Sequence, residues 1–153
     1  MDRPGGLPNP DVRRRPRILA VDDDPLQLDL LFRGLTLEGF EVATHEGPIG
    51  VTNMVRAFQP DIVLLDLNIP SLRGDRLIEL IRRTAGPNTK YFLLSASDES
   101  ELRLRAAETS AHGWLSKSLP MNEIAHRLRS MLSPSSTGSF LGLNDGPPSR
   151  RIR

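Results

Sequence analysis

The chain has 153 residues, about the size of a single domain. Its 20 basic and 19 acidic residues give a net charge of +1, which by itself does not indicate nucleic-acid binding. The sequence contains no cysteine, so disulfides, thiolate metal sites and cysteine nucleophiles are excluded. No stretch approaches the roughly 18 consecutive apolar residues of a membrane span, and the run at 18–21 is too short for a signal peptide. We therefore expect one cytoplasmic domain.

The two ends of the chain differ in composition from its middle. Residues 1–16 contain four prolines, and residues 134–153 consist mainly of Ser, Gly, Pro and Arg. Such compositions bury too little apolar surface to offset the entropy of ordering. We predict a disordered basic arm over 1–16, one domain over 17–133 and a disordered tail over 134–153. The tail has one apolar cluster, formed by Phe140, Leu141 and Leu143, and whether it docks onto the domain is left open.

Five short apolar runs predict β-strands, and helical patterns separate them. The runs are Arg17–Val21, Phe40–Thr44, Asp61–Leu67, Lys90–Ser95 and His112–Ser116. The first helix follows Asp24 as N-cap and Pro25 as first helical residue, and Gly39 can end it. The second interval, 47–58, predicts its helix weakly because Gly and β-branched residues lower helix propensity.

The later helical intervals complete the alternation. Apolar residues at helical spacing mark the third helix (Leu77, Ile78, Ile81) and the fifth (Ile124, Leu128, Leu132), whereas the pattern of the fourth, over 98–110, is weaker. Strict alternation of strands and helices predicts an α/β fold, in which helices cover both faces of a parallel sheet.

Acidic residues stand where two of the predicted strands end. Asp22, Asp23 and Asp24 follow the first strand, and Asp66 ends the third. In doubly wound sheets ligands bind at the carboxyl ends of the strands. Asp24 is explained as a helix cap, but the other three would repel one another unless a proton or a cation compensated. Oxygen ligands alone favour a hard ion such as Mg²⁺. Simple capping and loop-starting roles are the alternative interpretation.

Two further strand ends carry polar groups. The fourth strand ends in Ser95 and Ala96, and Lys117 follows the fifth. A carboxylate nucleophile, a metal, a hydroxyl and a lysine at one rim suit phosphoryl transfer, in which donors and cations stabilise the equatorial oxygens. A serine in a loop or a solvated lysine is weak evidence alone. Their combined order along the chain is the strong signal.

This arrangement resembles the receiver domain of two-component response regulators, of the single-domain type. The matching segments are spread over nearly all of 17–133: Ile18–Pro25, Ile62–Pro70, Gly74, Leu94–Ala96 and Lys117. The resemblance implies a flavodoxin-like, doubly wound sheet of five parallel strands in the order 2-1-3-4-5, with five helices.

The resemblance also implies roles for the acidic residues. Asp66 would be the aspartate that accepts phosphate from a histidine kinase or a histidine phosphotransfer protein. Asp22 and Asp23 would hold Mg²⁺ together with Asp66 and the backbone carbonyl of Asn68.

For the remaining rim residues, the resemblance pairs Lys117 with the phosphoryl group and gives Ser95 a hydrogen bond to it after activation. Trp114 falls at the position of the switch aromatic, although a packed strand residue is an equal alternative. One departure is that Ser118 follows the lysine, where the family has a cis proline, and Pro120 comes two residues later. Because a non-proline cis bond costs about 2.5 to 4 kcal/mol, a trans path is expected, which questions the placement of Lys117.

The 20 residues after the domain are too few for a helix-turn-helix unit or a catalytic domain. We therefore predict a stand-alone receiver that binds a partner protein or relays phosphate, and that catalyses only its own phosphorylation and dephosphorylation. By resemblance the partner would bind the fourth helix, fifth strand and fifth helix, including Arg103, Arg105, Trp114, Met121 and Arg127. Neither nucleic acid nor membrane is expected as a partner.

Two alternatives belong to other classes of protein. One is a receiver-like protein-binding module that no longer uses phosphate. The other is a haloacid-dehalogenase-like phosphatase with Asp22 as nucleophile and Asp24 as acid. That family expects a flexible loop after the second aspartate, whereas Pro25 is predicted to begin a helix at once.

Overall fold

The computed structural model describes residues 14–66, 74–96, 100, 103–104 and 111–132. Within these ranges the chain forms five strands and four helices, in the order β1 (Arg17–Asp22), α1 (Pro25–Leu37), β2 (Glu41–Glu46), α2 (Val51–Phe58), β3 (Ile62–Asp66), α3 (Gly74–Thr84), β4 (Lys90–Ser95), β5 (Gly113–Ser116) and α4 (Met121–Leu132). The strands form one parallel sheet in the order β2-β1-β3-β4-β5. The predicted flavodoxin-like α/β fold is thus confirmed.

The two weakly predicted helices have different outcomes. The second forms as α2, which follows Gly50 at φ 86° and ends before Gln59 at φ 53°. Of the fourth predicted helix, Ser100, Arg103 and Leu104 are helical, and the rest of 97–110 lies outside the described residues. Helix α4 is therefore the fifth helix of the sequence prediction.

Helix α1 begins and ends where its sequence indicates. The side chain of Asp24 accepts a hydrogen bond of 3.0 Å from the backbone N–H of Leu26, and Pro25 occupies the first helical position. Beyond the last helical residue, Gly39 adopts φ 103°, a backbone conformation that favours glycine. The Asp-Pro start and the glycine stop fix the length of the helix, so α1 returns from the carboxyl edge of the sheet to its amino edge.

The sheet separates two apolar cores because side chains alternate along each strand. Helices α1 and α4 bury one face over Ile18, Ala20, Ile62, Leu64, Phe92 and Leu94. Helices α2 and α3 bury the other face over Leu19, Val21, Val63, Leu65 and Leu93. All five residues of β3 are buried, as expected for a central parallel strand covered on both sides. This packing holds the ends of β1 and β3 rigidly side by side.

Two residues assigned to the N-terminal arm contact the domain. The guanidinium of Arg14 donates to both carboxylate oxygens of Asp61 at 3.1 Å, and the backbone carbonyl of Pro16 accepts from the N–H of Glu41 at 2.9 Å. The rest of the predicted arm and the predicted tail are outside the described residues. Across the part that is described, no helix is both long and apolar enough to cross a membrane.

Candidate functional site

Two neighbouring strands bring aspartates to one edge of the sheet. Asp22 is the last residue of β1 and Asp66 the last of β3, and the preceding residues Val21 and Leu65 are register partners. Both aspartates are buried, with 2% and 7% of their surface exposed. Asp23 is exposed beside them, and one carboxylate oxygen from each of the three lies within 4.8 Å of the others. The strand order places Asp66 beside Asp22 and Asp23 although it is 43 residues or more away in sequence.

Lys117 reaches this cluster from the far side of β4. Its Nζ lies 3.0 Å from Oδ2 of Asp22 and 3.3 Å from Oδ1 of Asp66. Burial by itself lowers the pKa of the lysine, but the hydrogen bond to Asp22 and the negative charges of Asp66 and Asp22 outweigh it, so the pKa is raised above its usual value. The ammonium therefore stays charged and offsets part of the negative charge.

The loop that carries Lys117 holds its shape without a proline after the lysine. The described residues contain no cis peptide bond, so the Lys117–Ser118 bond is trans. Instead, Oγ of Ser116 accepts from the backbone N–H of Ser118 at 3.1 Å and lies 2.7 Å from its hydroxyl, and the N–H of Leu119 donates to the Ser116 carbonyl. A serine turn thus positions Lys117 at the carboxylate cluster. Its placement had been in question because the proline that follows this lysine in the family is absent.

Backbone groups hold Asp22 in place, and sequence reasoning did not identify them. The N–H of Asp24 donates to Oδ1 of Asp22 at 3.0 Å, and the N–H of Gly47 donates to the backbone carbonyl of Asp22 at 2.9 Å. The first contact belongs to the entry into α1 and has a local signal in the Asp-x-Asp-Pro pattern. The second depends on the register of β1 and β2, for which the sequence has no local signal.

Ser95 and Asn68 differ in what the structure shows of them. Ser95 ends β4, is fully buried, and follows Leu94, the register partner of Asp66. Its backbone carbonyl accepts a 2.8 Å hydrogen bond from the N–H of Lys117, which connects β4 to the lysine loop. Asn68, predicted to contribute a carbonyl, lies outside the described residues.

The residues of the predicted partner surface do not all face the solvent. Trp114 is 4% exposed and packs in the core shared with α2 and α3, with the guanidinium of Arg103 5.8 Å from its ring centroid. Met121 contacts Gly34 of α1, and Arg127 pairs with Glu123 at 3.0 Å. Arg105 is outside the described residues. Trp114 is therefore a packed strand residue here, and its role as a switch stays a prediction.

The donor set at the carboxyl edge fits a hard divalent cation. Asp22, Asp23 and Asp66 supply oxygen ligands only, and within the described part of the chain these three carboxylates share the ammonium of Lys117. Mg²⁺ prefers such oxygen ligands and keeps coordination positions for water or phosphate oxygens. The cluster can therefore bind a cation and, through it and Lys117, a phosphoryl group.

Comparison with known proteins agrees with this fold. The model of the response regulator receiver domain family matches residues 18–129, and the chain belongs to this family. Among solved structures, the chain is similar to the signal receiver domain of the putative response regulator NarL from Mycobacterium tuberculosis, with 27% identity and a TM-score of 0.67 over 78% of this chain and 97% of that one. The BeF3-activated DrrB receiver domain matches with 26% identity and a TM-score of 0.65 over 77% and 97% of the two chains.

Two curated relatives are named as regulators. The transcriptional regulatory protein PrrA of Mycobacterium tuberculosis is 32% identical over 146 residues, which cover 90% of this chain and 62% of PrrA. The DNA-binding dual master transcriptional regulator RpaA of Synechocystis is 28% identical over 138 residues, which cover 86% of this chain and 57% of RpaA. The chain spans about six tenths of the length of these relatives.

Proposed function

We propose that this receiver accepts a phosphoryl group on Asp66 from a histidine kinase or a histidine phosphotransfer protein. One observation carries the proposal: the buried carboxylate of Asp66 shares a 4.8 Å cluster with those of Asp22 and Asp23 and lies 3.3 Å from Nζ of Lys117. An acceptor carboxylate needs positive charge around the incoming phosphoryl oxygens. A cation held by Asp22 and Asp23, together with the ammonium of Lys117, would supply it.

The transfer needs little from the protein beyond position and charge. A carboxylate oxygen of Asp66 forms the new O–P bond while the P–N bond of the donor phosphohistidine breaks, and the bonding pair returns to the imidazole nitrogen. Mg²⁺ held by Asp22, Asp23, Asp66 and the Asn68 carbonyl would neutralise charge on the phosphoryl oxygens. The ammonium of Lys117 pairs with one of these oxygens, and after activation the hydroxyl of Ser95 donates to another.

The signal passes to a partner protein, or the phosphate to a phosphotransfer protein, according to the state of Asp66. Trp114 and the fourth predicted helix, through Arg103, would connect the site to the partner surface, because the guanidinium lies over the buried indole. We place the encounter with the kinase in the cytoplasm. That the receiver acts without contact to nucleic acid remains a prediction from the sequence.

The acceptor is tested by intact-mass spectrometry after incubation with acetyl phosphate and Mg²⁺. We expect one phosphoryl group on the wild type, removed by hydroxylamine as an acyl phosphate is, and none on Asp66→Asn. Asp29→Asn is the matched control, since Asp29 is an exposed α1 aspartate that pairs with Arg33. It should be phosphorylated like the wild type. An Asp66→Asn protein phosphorylated to the same extent would refute the assignment of the acceptor.

Fluorescence of the sole tryptophan distinguishes the phosphate-independent alternative. Beryllofluoride, the activating ligand named for the DrrB receiver, mimics an acyl phosphate on an aspartate. We expect it to change the emission of Trp114 in a saturable, Mg²⁺-dependent way in the wild type and not in Asp66→Asn. If the wild type showed no fluorescence change and no mass adduct, the result would favour the protein-binding module that does not use phosphate. The phosphatase alternative is disfavoured because Asp24, its acid, caps α1.

A further inference from the structure

Helix α1 presents a second apolar face that the described domain leaves uncovered. Leu26, Leu30 and Leu37 are 71%, 56% and 88% exposed. Their spacing of four and seven residues places them on one side of the helix, opposite the buried residues Leu28, Leu31 and Leu35. We call the three exposed leucines the outer stripe. Surface leucines usually occur singly, so three that align on one side of a helix mark a candidate contact surface.

The end of α4 lies beside the end of this helix. At the start of α4, an added Cβ at Gly34 would overlap the side chain of Met121, so the two helices already approach closely there. Leu30 and Leu37 are the neighbours of Gly34 at four and three residues along α1, which puts the outer stripe on the border with α4. Further along, the guanidinium of Arg129 donates to the carbonyl of Glu38, three residues before α4 ends. The chain beyond residue 132 therefore starts next to the Leu37 end of the stripe.

We propose that the apolar cluster of the tail, Phe140, Leu141 and Leu143, packs on the outer stripe of α1 in the same molecule. The segment has the length for this contact. Phe140 follows Leu132 by eight residue steps, with seven residues between them, and eight steps of extended chain span up to about 27 Å. The 13 residues of α1 are only about 20 Å long, so the cluster reaches any of the three leucines.

Composition and charge favour the same occupant. The residues between α4 and the cluster are Ser, Pro, Thr and Gly, a polar spacer, and Phe140, Leu141 and Leu143 are the only large apolar side chains before residue 152 in the tail. A tail that runs from the Leu37 end to the Leu26 end of α1 leads Arg150 and Arg151 toward exposed Asp23 and Asp24. The basic end and the acidic edge are complementary, so the docked tail would also shield α1 from other partners.

A single spin label tests the contact, because the chain has no cysteine of its own. A nitroxide on Ser139→Cys, next to the cluster, should broaden the amide signals of Leu30, Arg33 and Leu37. Leu80 is the internal control, since it is an exposed leucine on α3, which covers the opposite face of the sheet. Its amide should keep its intensity. Broadening of α1 and α3 to the same degree would overturn the proposal.

Two sets of substitutions check which side chains make the contact. Replacing the cluster by Phe140→Ser, Leu141→Ser and Leu143→Ser should abolish the broadening of α1, and so should Leu30→Ser with Leu37→Ser, which are exposed and leave the core intact. Ile152→Ser, an apolar loss elsewhere in the tail, is the matched control and should leave the broadening unchanged. Persistence of the broadening in the three-serine variant would overturn the proposal.

A mixed sample separates this occupant from a second copy of the chain. Spin-labelled protein without ¹⁵N is combined with unlabelled ¹⁵N protein, so that only contacts between molecules broaden the signals. Intact α1 signals in the mixture support docking within one chain. Broadening of Leu30 and Leu37 in the mixture would assign the stripe to self-association instead and overturn the proposal.

Discussion

Each end of the sheet has carboxylates beside basic side chains, but the ratio of acidic to basic groups differs between the two ends. At the amino end, Asp61 accepts from the backbone N–H of Arg17 at 2.8 Å and from the guanidinium of Arg14. At the carboxyl end, Asp22 and Asp66 share Lys117, and Asp23 adds a third carboxylate. Among the described residues, the amino end has a basic group for its carboxylate, whereas at the carboxyl end three carboxylates lie around Lys117.

The difference shows what each end contributes. A carboxylate satisfied by its own chain stabilises the fold and has no need of a ligand. Carboxylates held close together with one cation cost stability, because like charges repel in a poorly solvated place. The rigid packing of β1 and β3 maintains that cost, and a bound cation or a neutralised carboxylate would relieve it. Substitutions at the two ends should therefore differ in how much unfolding free energy they remove and in whether Mg²⁺ restores it.

The largest effect is expected at Lys117, because its loss leaves two buried carboxylates without their shared ammonium. Breaking a buried ion pair costs about 3 to 5 kcal/mol, and the position at the rim lowers this, so Lys117→Met should lose about 2 to 3 kcal/mol of unfolding free energy in metal-free buffer. Urea unfolding measures the loss. Mg²⁺ should restore more stability to the variant than it adds to the wild type, since the cation replaces the missing positive charge.

Adding Asp66→Asn to Lys117→Met provides the internal check on that result. Removal of one of the two carboxylates should recover part of the lost stability, because less unpaired charge remains buried. If the double variant were less stable than Lys117→Met by the full effect of a second independent substitution, the repulsion assigned to the carboxyl end would be wrong.

A smaller loss is expected at the amino end and should not respond to Mg²⁺. Asp61→Ala removes the acceptor of the half-buried N–H of Arg17, and an orphaned donor of this kind costs about 1 to 2 kcal/mol. Asp61→Asn keeps an acceptor oxygen and should recover much of it. The matched control is Asp29→Ala on α1, whose ion pair with Arg33 is exposed and worth less than about 0.5 kcal/mol. The distinction between the two ends would be lost if Asp61→Ala and Asp29→Ala lowered the unfolding free energy equally. It would also be lost if Mg²⁺ raised the unfolding free energy of Asp61→Ala.

The sequence predicted the sheet better than it predicted the limits of individual strands. Alternating apolar runs were enough for five parallel strands, because burial on both faces leaves a continuous apolar signal in β1, β3 and β4. Strand β2 was predicted at 40–44 and lies at Glu41–Glu46, because Phe40 closes α1 through a backbone bond to Leu35 and the polar residues 45 and 46 continue the ladder. An edge strand with partly exposed side chains has no apolar pattern to mark its end.

The site shows the same division between local and long-range information. Asp22 and Asp66 could be brought together from the sequence because each ends a strand, and the resemblance supplied the order of the strands. The approach of Lys117 depends on the Ser116 turn, and the anchor between Arg14 and Asp61 joins residues 47 apart. The serine turn is local but its effect on Lys117 was not predicted, and the contact between Arg14 and Asp61, at the other end of the sheet, forms only once the chain is folded.

The smallest effect concerns His112, which precedes β5 at the amino end of the sheet. Its Nδ1 accepts a 3.0 Å hydrogen bond from the backbone N–H of Tyr91, while its own backbone N–H donates to the Tyr91 carbonyl. Burial, and then the positive charges of Lys90 and Arg82, lower the pKa of His112 below its usual 6.5. Protonation of Nδ1 would also break the bond to Tyr91, so the neutral ring is the form that stabilises the fold.

The sign of the pH effect follows from this lowered pKa. As pH falls below about 6.5, the unfolded chain takes up a proton that the folded chain resists. The stability contributed by neutral His112 is therefore fully present above pH 6.5 and is lost as pH falls from there to the lower pKa of the folded state. His112→Asn keeps an acceptor near Nδ1 but does not titrate, and it should lose less stability between pH 7 and pH 5.5 in urea unfolding. His126→Asn, at an exposed α4 histidine, is the matched control. Asp61 and His112 both belong to the amino end. If Mg²⁺ changed how steeply the unfolding free energy falls with pH in this comparison, the two ends would be coupled rather than independent.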